Sequence, residues 1–93
     1  MTIALLSLEL HLPMSRSLKD KRMVLRRLKD RLRGFNVAVA EVAHQDLWQR
    51  AGLGVVTVAT GDAVAEQILS SALGEVERLE PGLVTYSQVE YLK

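Results

Sequence analysis

Basic residues are concentrated in one short stretch of this 93-residue chain. Of its twelve Lys and Arg residues, nine lie between Arg16 and Arg33, where only Asp20 and Asp30 oppose them. Nine bases against two acids give this stretch a formal charge of +7, whereas the other three bases and nine acids carry −6, for a total of +1. Five of the bases recur every three or four residues: Lys19, Arg22, Arg26, Lys29 and Arg33. On a helix this spacing predicts a continuous row of positive charge, here called the basic ridge, suited to phosphate groups or an acidic protein surface.

The ridge also has an ordinary interpretation as a solvated face, because Lys and Arg are good helix formers and exposed helix faces are usually charged. Its imbalance favours a binding role, since ordinary surfaces interleave both signs and gain pairs four residues apart. Arg27 and Arg31 fall on the opposite flank, so we expect the solvent side of the helix to be positive nearly all round. Lys21 points toward the core side, and we expect it either to reach outward along its aliphatic stem or to have a specific role.

The apolar pattern predicts the elements that must position these charges. Alternation over residues 2–12 indicates a strand with one deeply apolar face, and further strands are expected over 37–43, 53–60 and 83–92. One helix is expected to begin after Ser17 as its N-cap and to end at Gly34, and a second to begin after Asp62 as its N-cap and to end before Pro81. Residues 45–50 are expected to form a turn.

The order strand, helix, strand, strand, helix, strand predicts an α+β fold, the ferredoxin-like split βαβ sandwich. In it a four-stranded antiparallel sheet carries both helices on one face, and residues 1–93 form a single domain. The other sheet face would remain uncovered, which favours self-association. Residues expected on that face are Ile3, Leu5, Ser7, Glu9, His11 and Thr57.

Composition excludes several classes of chemistry. The chain has no cysteine, so it has no disulfide, no thiolate nucleophile and no thiolate metal site. No apolar run approaches the ~18 residues that a membrane span needs. The apolar first ten residues lack a basic n-region and are interrupted by Glu9, so they predict a strand of a cytoplasmic protein rather than a signal peptide.

The few residues that could do catalysis do not form a recognisable set. His11 and His44 are the only histidines, and their spacing to carboxylates is not diagnostic of a metal site. Ser7 is not on a nucleophile elbow, which argues against hydrolase chemistry. Arg16, at the start of the first helix, could bind one small anion. We expect no catalytic residue, no metal and no cofactor.

Trp48 is the only tryptophan and lies in a polar turn with Arg50. It either caps the core between the sheet edge and a helix or anchors an interface, since Trp and Arg are enriched in binding hot spots. The two central strands contain no aromatic residue for base stacking, and no GXXG loop of the KH type is present. Nucleic-acid binding would therefore use the helix and recognise the phosphate backbone or the shape of the nucleic acid.

Three segments carry a family resemblance: residues 17–22 (SLKDKR), 35–42 (FNVAVAEV) and 45–51 (QDLWQRA). Together they resemble the YlxP family, small bacterial ferredoxin-like proteins without an assigned biochemical activity, and the resemblance covers essentially the whole chain. It implies a bacterial cytoplasmic protein and a gene neighbourhood shared with translation initiation and ribosome maturation factors. It supplies no catalytic residues.

Two hypotheses follow. The first is a noncatalytic module that binds structured RNA, with rRNA on or near the ribosome as the expected target, through the basic ridge. The alternative is a homo-oligomeric interaction module, a homodimer without a nucleic-acid role, in which the basic helix meets an acidic surface such as the Glu-rich second helix of another copy.

Overall fold

The structure, a computed structural model, describes residues 1–92 and has the predicted order of elements. The strands are β1 (Thr2–His11), β2 (Ala38–Ala43), β3 (Arg50–Ala59) and β4 (Val84–Leu92), and the helices are α1 (Leu18–Leu32) and α2 (Asp62–Leu79). The sheet order is β2-β3-β1-β4, and every neighbouring pair is antiparallel. This confirms the ferredoxin-like α+β fold. Within residues 1–92, neither helix is long and apolar enough to cross a membrane.

Strand β1 lies inside the sheet and supplies the centre of the core. Its even-numbered residues are buried and its odd-numbered ones from Ile3 to Glu9 are half-buried, as the alternation predicts. The buried face joins residues of both helices in one cluster, and each fully buried aliphatic side chain contributes roughly 1.5–3 kcal/mol. The largest members are Leu6, Leu8, Leu10, Leu12, Leu25, Leu28, Leu32, Leu53 and Leu69.

Helix α1 begins as predicted but ends differently. The Ser17 hydroxyl accepts a hydrogen bond from the backbone N–H of Asp20 (3.0 Å), which confirms the N-cap. At the other end a short 3₁₀ turn follows Leu32, and Asn36, not Gly34, takes the left-handed conformation (φ 57°) that reverses the chain. Asparagine tolerates this conformation, and here its side-chain amide also donates to the Val58 carbonyl (3.2 Å).

Strand β3 begins at Arg50, three residues earlier than predicted. Residues 50–52 pair with residues 9–11 of β1, so their backbone groups are satisfied within the sheet. Gly52 lets β2 approach β3 closely, because a Cβ there would lie 2.8 Å from the Ala43 Cβ and 3.1 Å from Glu9 Oε2. Sequence reasoning missed the extension because glycine is depleted in strands.

Two further expectations were wrong. Helix α2 has Gly61 at its N-cap, and Asp62 is instead its first residue, where its carboxylate accepts a hydrogen bond from the Thr2 hydroxyl (2.6 Å). Thr57 lies on the helix side of the sheet, buried, and donates to the Asn36 carbonyl (2.8 Å). The position of Thr57 follows from its pairing with Ala4, which belongs to the buried face of β1.

Candidate functional site

The basic ridge is exposed along its whole length, as the helical spacing predicts. Its five side chains lie on α1 and on the 3₁₀ turn that follows it, over 14 residue steps or about 21 Å, with neighbouring members about 5–6 Å apart. All of them except Lys19 border a groove of about 340 Å³ that is also lined by Asp30 and by Glu41 of strand β2. The result is a row of cations with access from solvent.

Most of the ridge has no carboxylate partner. Among residues 1–92, no carboxylate oxygen lies within 4.0 Å of the charged nitrogens of Lys19, Arg22, Arg26 or Lys29. Arg33 pairs with Asp30 at 2.8 Å, and both side chains are exposed. Exposed pairs of this kind contribute about 0–1 kcal/mol, so Arg33 can exchange that contact for a stronger anion at small cost.

The opposite flank of α1 is neutralised by α2. Arg27 lies 2.8 Å from Glu80, and Arg31 lies 3.7 Å from Glu75. The expectation of positive charge nearly all round the helix was therefore wrong. Helix α2 packs against α1 and brings its acidic residues within reach of that flank, a proximity that the α1 sequence alone does not encode.

Glu75 is also bound to a base of its own helix. Arg78 donates two hydrogen bonds to the Glu75 carboxylate, at 3.0 and 2.7 Å. These hydrogen bonds, with the charges of Arg78 and Arg31, hold the pKa of Glu75 below its ordinary value, and the same contact raises the pKa of Arg78. Part of the acidic face of α2 is thus already engaged in ion pairs within the same chain.

Lys21 is buried and has a structural role. Its side chain is only 1% exposed, and its Nζ lies 2.8 Å from Glu41 Oε2. Nζ donates to the carbonyls of His44 (2.9 Å), Gln45 (3.2 Å) and Arg50 (3.3 Å). An ammonium has three N–H donors, so these three carbonyls use its hydrogen-bonding capacity while Glu41 neutralises its charge. Lys21 therefore fixes both ends of the turn between β2 and β3 and does not reach outward.

A polar cluster at one end of the uncovered sheet face escaped the sequence reasoning. His44 Nε2 lies 2.9 Å from Glu9 Oε1, and Arg50 donates to the same oxygen at 3.2 Å. His44 has a left-handed backbone (φ 64°), and its carbonyl is one of those held by Lys21. A sequence signal existed, because His44 and Arg50 flank the turn of a hairpin and should meet across it.

This cluster does not resemble a metal centre or a catalytic set. Among the residues that the structure describes, no group of three or more His, Asp or Glu side chains is arranged to hold a metal ion. His11 and Asp46 line a depression of about 460 Å³ beside Arg50, but Ser7 is not part of its wall. At Arg16, the backbone N–H donates to the Asp20 carboxylate (2.9 Å), which puts a negative group where a small anion was expected.

Trp48 lines the same depression and is 52% exposed. Such exposure does not fit a residue that caps the core, and the role of Trp48 as an interface anchor stays a prediction. Arg50 lies next to it, held by Glu9. Both residues stand at the polar end of the uncovered sheet face.

Comparisons with solved structures agree with the fold. A de novo designed protein, Foldit4, superposes with a TM-score of 0.57 at 9% identity, covering 99% of this chain and 96% of that one. A putative antibiotic biosynthesis monooxygenase from Bordetella bronchiseptica superposes with a TM-score of 0.54 at 13% identity, covering 100% and 97%. At such identities the likeness concerns the fold alone.

Comparisons of sequence identify the family. The chain is 37% identical over 62 residues to the uncharacterized protein YlxP of Bacillus subtilis (strain 168), which covers 66% of this chain and 67% of that protein. This confirms the resemblance carried by the three segments. A family described as "Protein of unknown function (DUF503)" matches residues 3–88. The chain therefore belongs to the DUF503 family, to which its YlxP-like segments pointed.

Proposed function

We propose that this chain is a noncatalytic RNA-binding module of the bacterial cytoplasm. Its basic ridge grips the phosphates of structured RNA, and rRNA on or near the ribosome is the target. The observation that carries the proposal is the contrast between the two sides of α1. Bases on the α2 side are paired with carboxylates of this chain, whereas Lys19, Arg22, Arg26 and Lys29 have none within 4.0 Å among residues 1–92.

The geometry favours contacts to the RNA backbone. The ridge is a straight row of cations about 5–6 Å apart, comparable to the separation of successive phosphates along a strand. Strands β1 and β3, at the centre of the sheet, carry no aromatic side chain on which a base could stack. Contacts of this kind position a protein on folded RNA by charge and shape and read little sequence.

The alternative hypothesis, in which the basic helix docks on the α2 helix of another copy, has less support. Glu75 and Glu80 already pair with bases of their own chain. A docked ridge would have to compete with those pairs or rely on Glu66 and Glu77, which are exposed. RNA offers a continuous row of unpaired negative charge, so the ridge matches it better.

The test is co-sedimentation with ribosomes from bacterial lysate, with and without nuclease, scored for rRNA and ribosomal proteins. The wild-type chain should sediment with ribosomes, and nuclease should release it. The variant Arg26→Glu with Lys29→Glu, checked for native circular dichroism, should remain in the supernatant. Undiminished and salt-insensitive sedimentation of that variant would refute the proposal.

A further inference from the structure

The uncovered sheet face has an apolar half, here called the open-face patch. It contains the odd-numbered start of β1 and the apolar residues that lie beside it on the neighbouring strands. Several members remain largely in solvent: Val42 is 61% exposed, Val58 53% and Leu92 50%. The patch consists of Ile3, Leu5, Ala38, Ala40, Val42, Val56, Val58 and Leu92.

The patch has both a hollow and a projection. Leu5, Val42 and Val56 line a shallow groove of about 240 Å³ with Gly54 among its walls. A Cβ at Gly54 would contact Val42 (3.5 Å) and Leu5 (3.6 Å), so the glycine leaves space between these side chains. Val58, two residues after Val56 on β3, is the projecting side chain. A surface that has both a projection and a hollow is suited to pairing with its own copy, as a two-fold interface requires.

Charge also selects this face for self-association. The eight residues of the open-face patch are uncharged, although Glu90 of the edge strand β4 pairs with Leu5 and lies exposed beside them. At the polar end of the same face Glu9 is already paired with Arg50. The helix side, by contrast, exposes the basic ridge, and two ridges facing each other would repel. Pairing through the sheet therefore brings fewer like charges together than pairing through the helix side.

The area of the face approaches what a stable dimer needs. Its four strands have ten, six, ten and nine residues, and at about 3.3 Å per residue and about 4.8 Å between strands they give a projected area of roughly 550 Å². The accessible surface of a corrugated face exceeds its projection. Standard interfaces bury about 800 Å² per partner.

We infer that two copies of this chain pair face to face through the open-face patch, forming a homodimer that leaves both basic ridges on its outer sides. Trp48, beside the polar end of the face, is placed to flank such an interface. The inference does not depend on RNA binding, because it rests on the opposite side of the sheet.

The test is the mass of nucleic-acid-free protein by sedimentation velocity, from low micromolar to the highest soluble concentration, in low and in high salt. We expect about 20.6 kDa, twice the 10.3 kDa of the chain, and no dissociation in high salt, because the interface is apolar. A wild-type protein that stays monomeric throughout overturns the inference. So does a dimer that dissociates in high salt.

The variant Val58→Lys locates the interface. It should weaken dimerisation about 100-fold, because pairing would bury an ammonium group without a partner. Val64→Lys is the matched control: Val64 is 44% exposed on α2, and the same substitution there should leave the dimer intact. Val42→Lys provides a second variant of the patch. If both patch variants dimerise like the wild type, the interface lies elsewhere, for example at the β4 edge, and the inference is wrong.

Discussion

The most discriminating prediction compares two double substitutions on the same helix. Arg26→Gln with Lys29→Gln neutralises two members of the basic ridge, and Arg27→Gln with Arg31→Gln neutralises the flank that faces α2. Both variants lower the net charge by two. The flank variant gives up contacts to Glu80 and Glu75, made by bases that are more than half exposed, and each is worth about 0–1 kcal/mol, so it should stay folded.

The expected magnitude follows from the number of unpaired ridge bases. If each of the four neutralises one phosphate of a duplex, the logarithm of the association constant falls with the logarithm of salt concentration with a slope of about −3.6. Between about 50 and 200 mM salt the wild type should then lose roughly 100-fold in affinity, and the ridge variant, with a slope of about −1.8, roughly tenfold. The flank variant should keep the wild-type slope.

The assay is fluorescence anisotropy with a labelled RNA hairpin across that range of salt. At the lowest salt the ridge variant should bind much more weakly than either other protein. Equal losses in the two variants would mean that net charge alone attracts RNA and that the ridge has no special part. If the wild-type association constant did not depend on salt, the ridge would make no phosphate contacts and the reasoning would be refuted.

Three further predictions concern the parts that hold the ridge and the sheet in place. Lys21→Met should lower the free energy of unfolding by about 3–5 kcal/mol in urea denaturation, because it leaves the buried Glu41 Oε2 without its cation; a loss below about 1 kcal/mol would contradict the structural role of Lys21. Gly52→Ala should cost about 1–3 kcal/mol in the same assay, through its clash with Ala43, and an unchanged midpoint would contradict the required close approach. The wild type should have a higher free energy of unfolding than Glu75→Gln above about pH 4.5, and this difference should fade as pH falls through the lowered pKa of Glu75. A difference that grows as pH falls would contradict a lowered pKa for Glu75.

The sequence predicted what depends on local periodicity. The alternation of β1, the 3.6-residue repeat of α1 and the Ser17 cap are all encoded by neighbours in the chain, and the structure confirms them. The ridge belongs to this class, since its exposure follows from the angle of each residue around the helix.

Features that depend on tertiary proximity were not predictable in the same way. The helical angle of Lys21 correctly predicted that it faces the core. Its partners belong to β2 and the following turn, which come close to Lys21 only in the folded chain. The helical angles of Arg27 and Arg31 placed them on the opposite flank, but their pairing with Glu80 and Glu75 depends on the packing of α2. The cluster of Glu9, His44 and Arg50 likewise requires the register of three strands.

The two proposed surfaces lie on opposite sides of the sheet, and together they imply a further behaviour. A face-to-face dimer presents two basic ridges pointing away from each other, so an RNA large enough to fold around both sides can bind them together. The second contact is then intramolecular, and the gain can reach about 100-fold or more without any new type of contact.

Val58 points to the uncovered face of the sheet, opposite the helices. The variant Val58→Lys should therefore weaken binding to a long structured rRNA by about 10- to 100-fold while leaving binding to a hairpin that spans one ridge unchanged. Val64→Lys should change neither. Anisotropy with both RNAs, at a protein concentration where the wild type is dimeric, measures the difference. Equal weakening on the two RNAs would mean that Val58 contributes to the RNA site itself, and no weakening on either would mean that the ridges act singly even in a dimer.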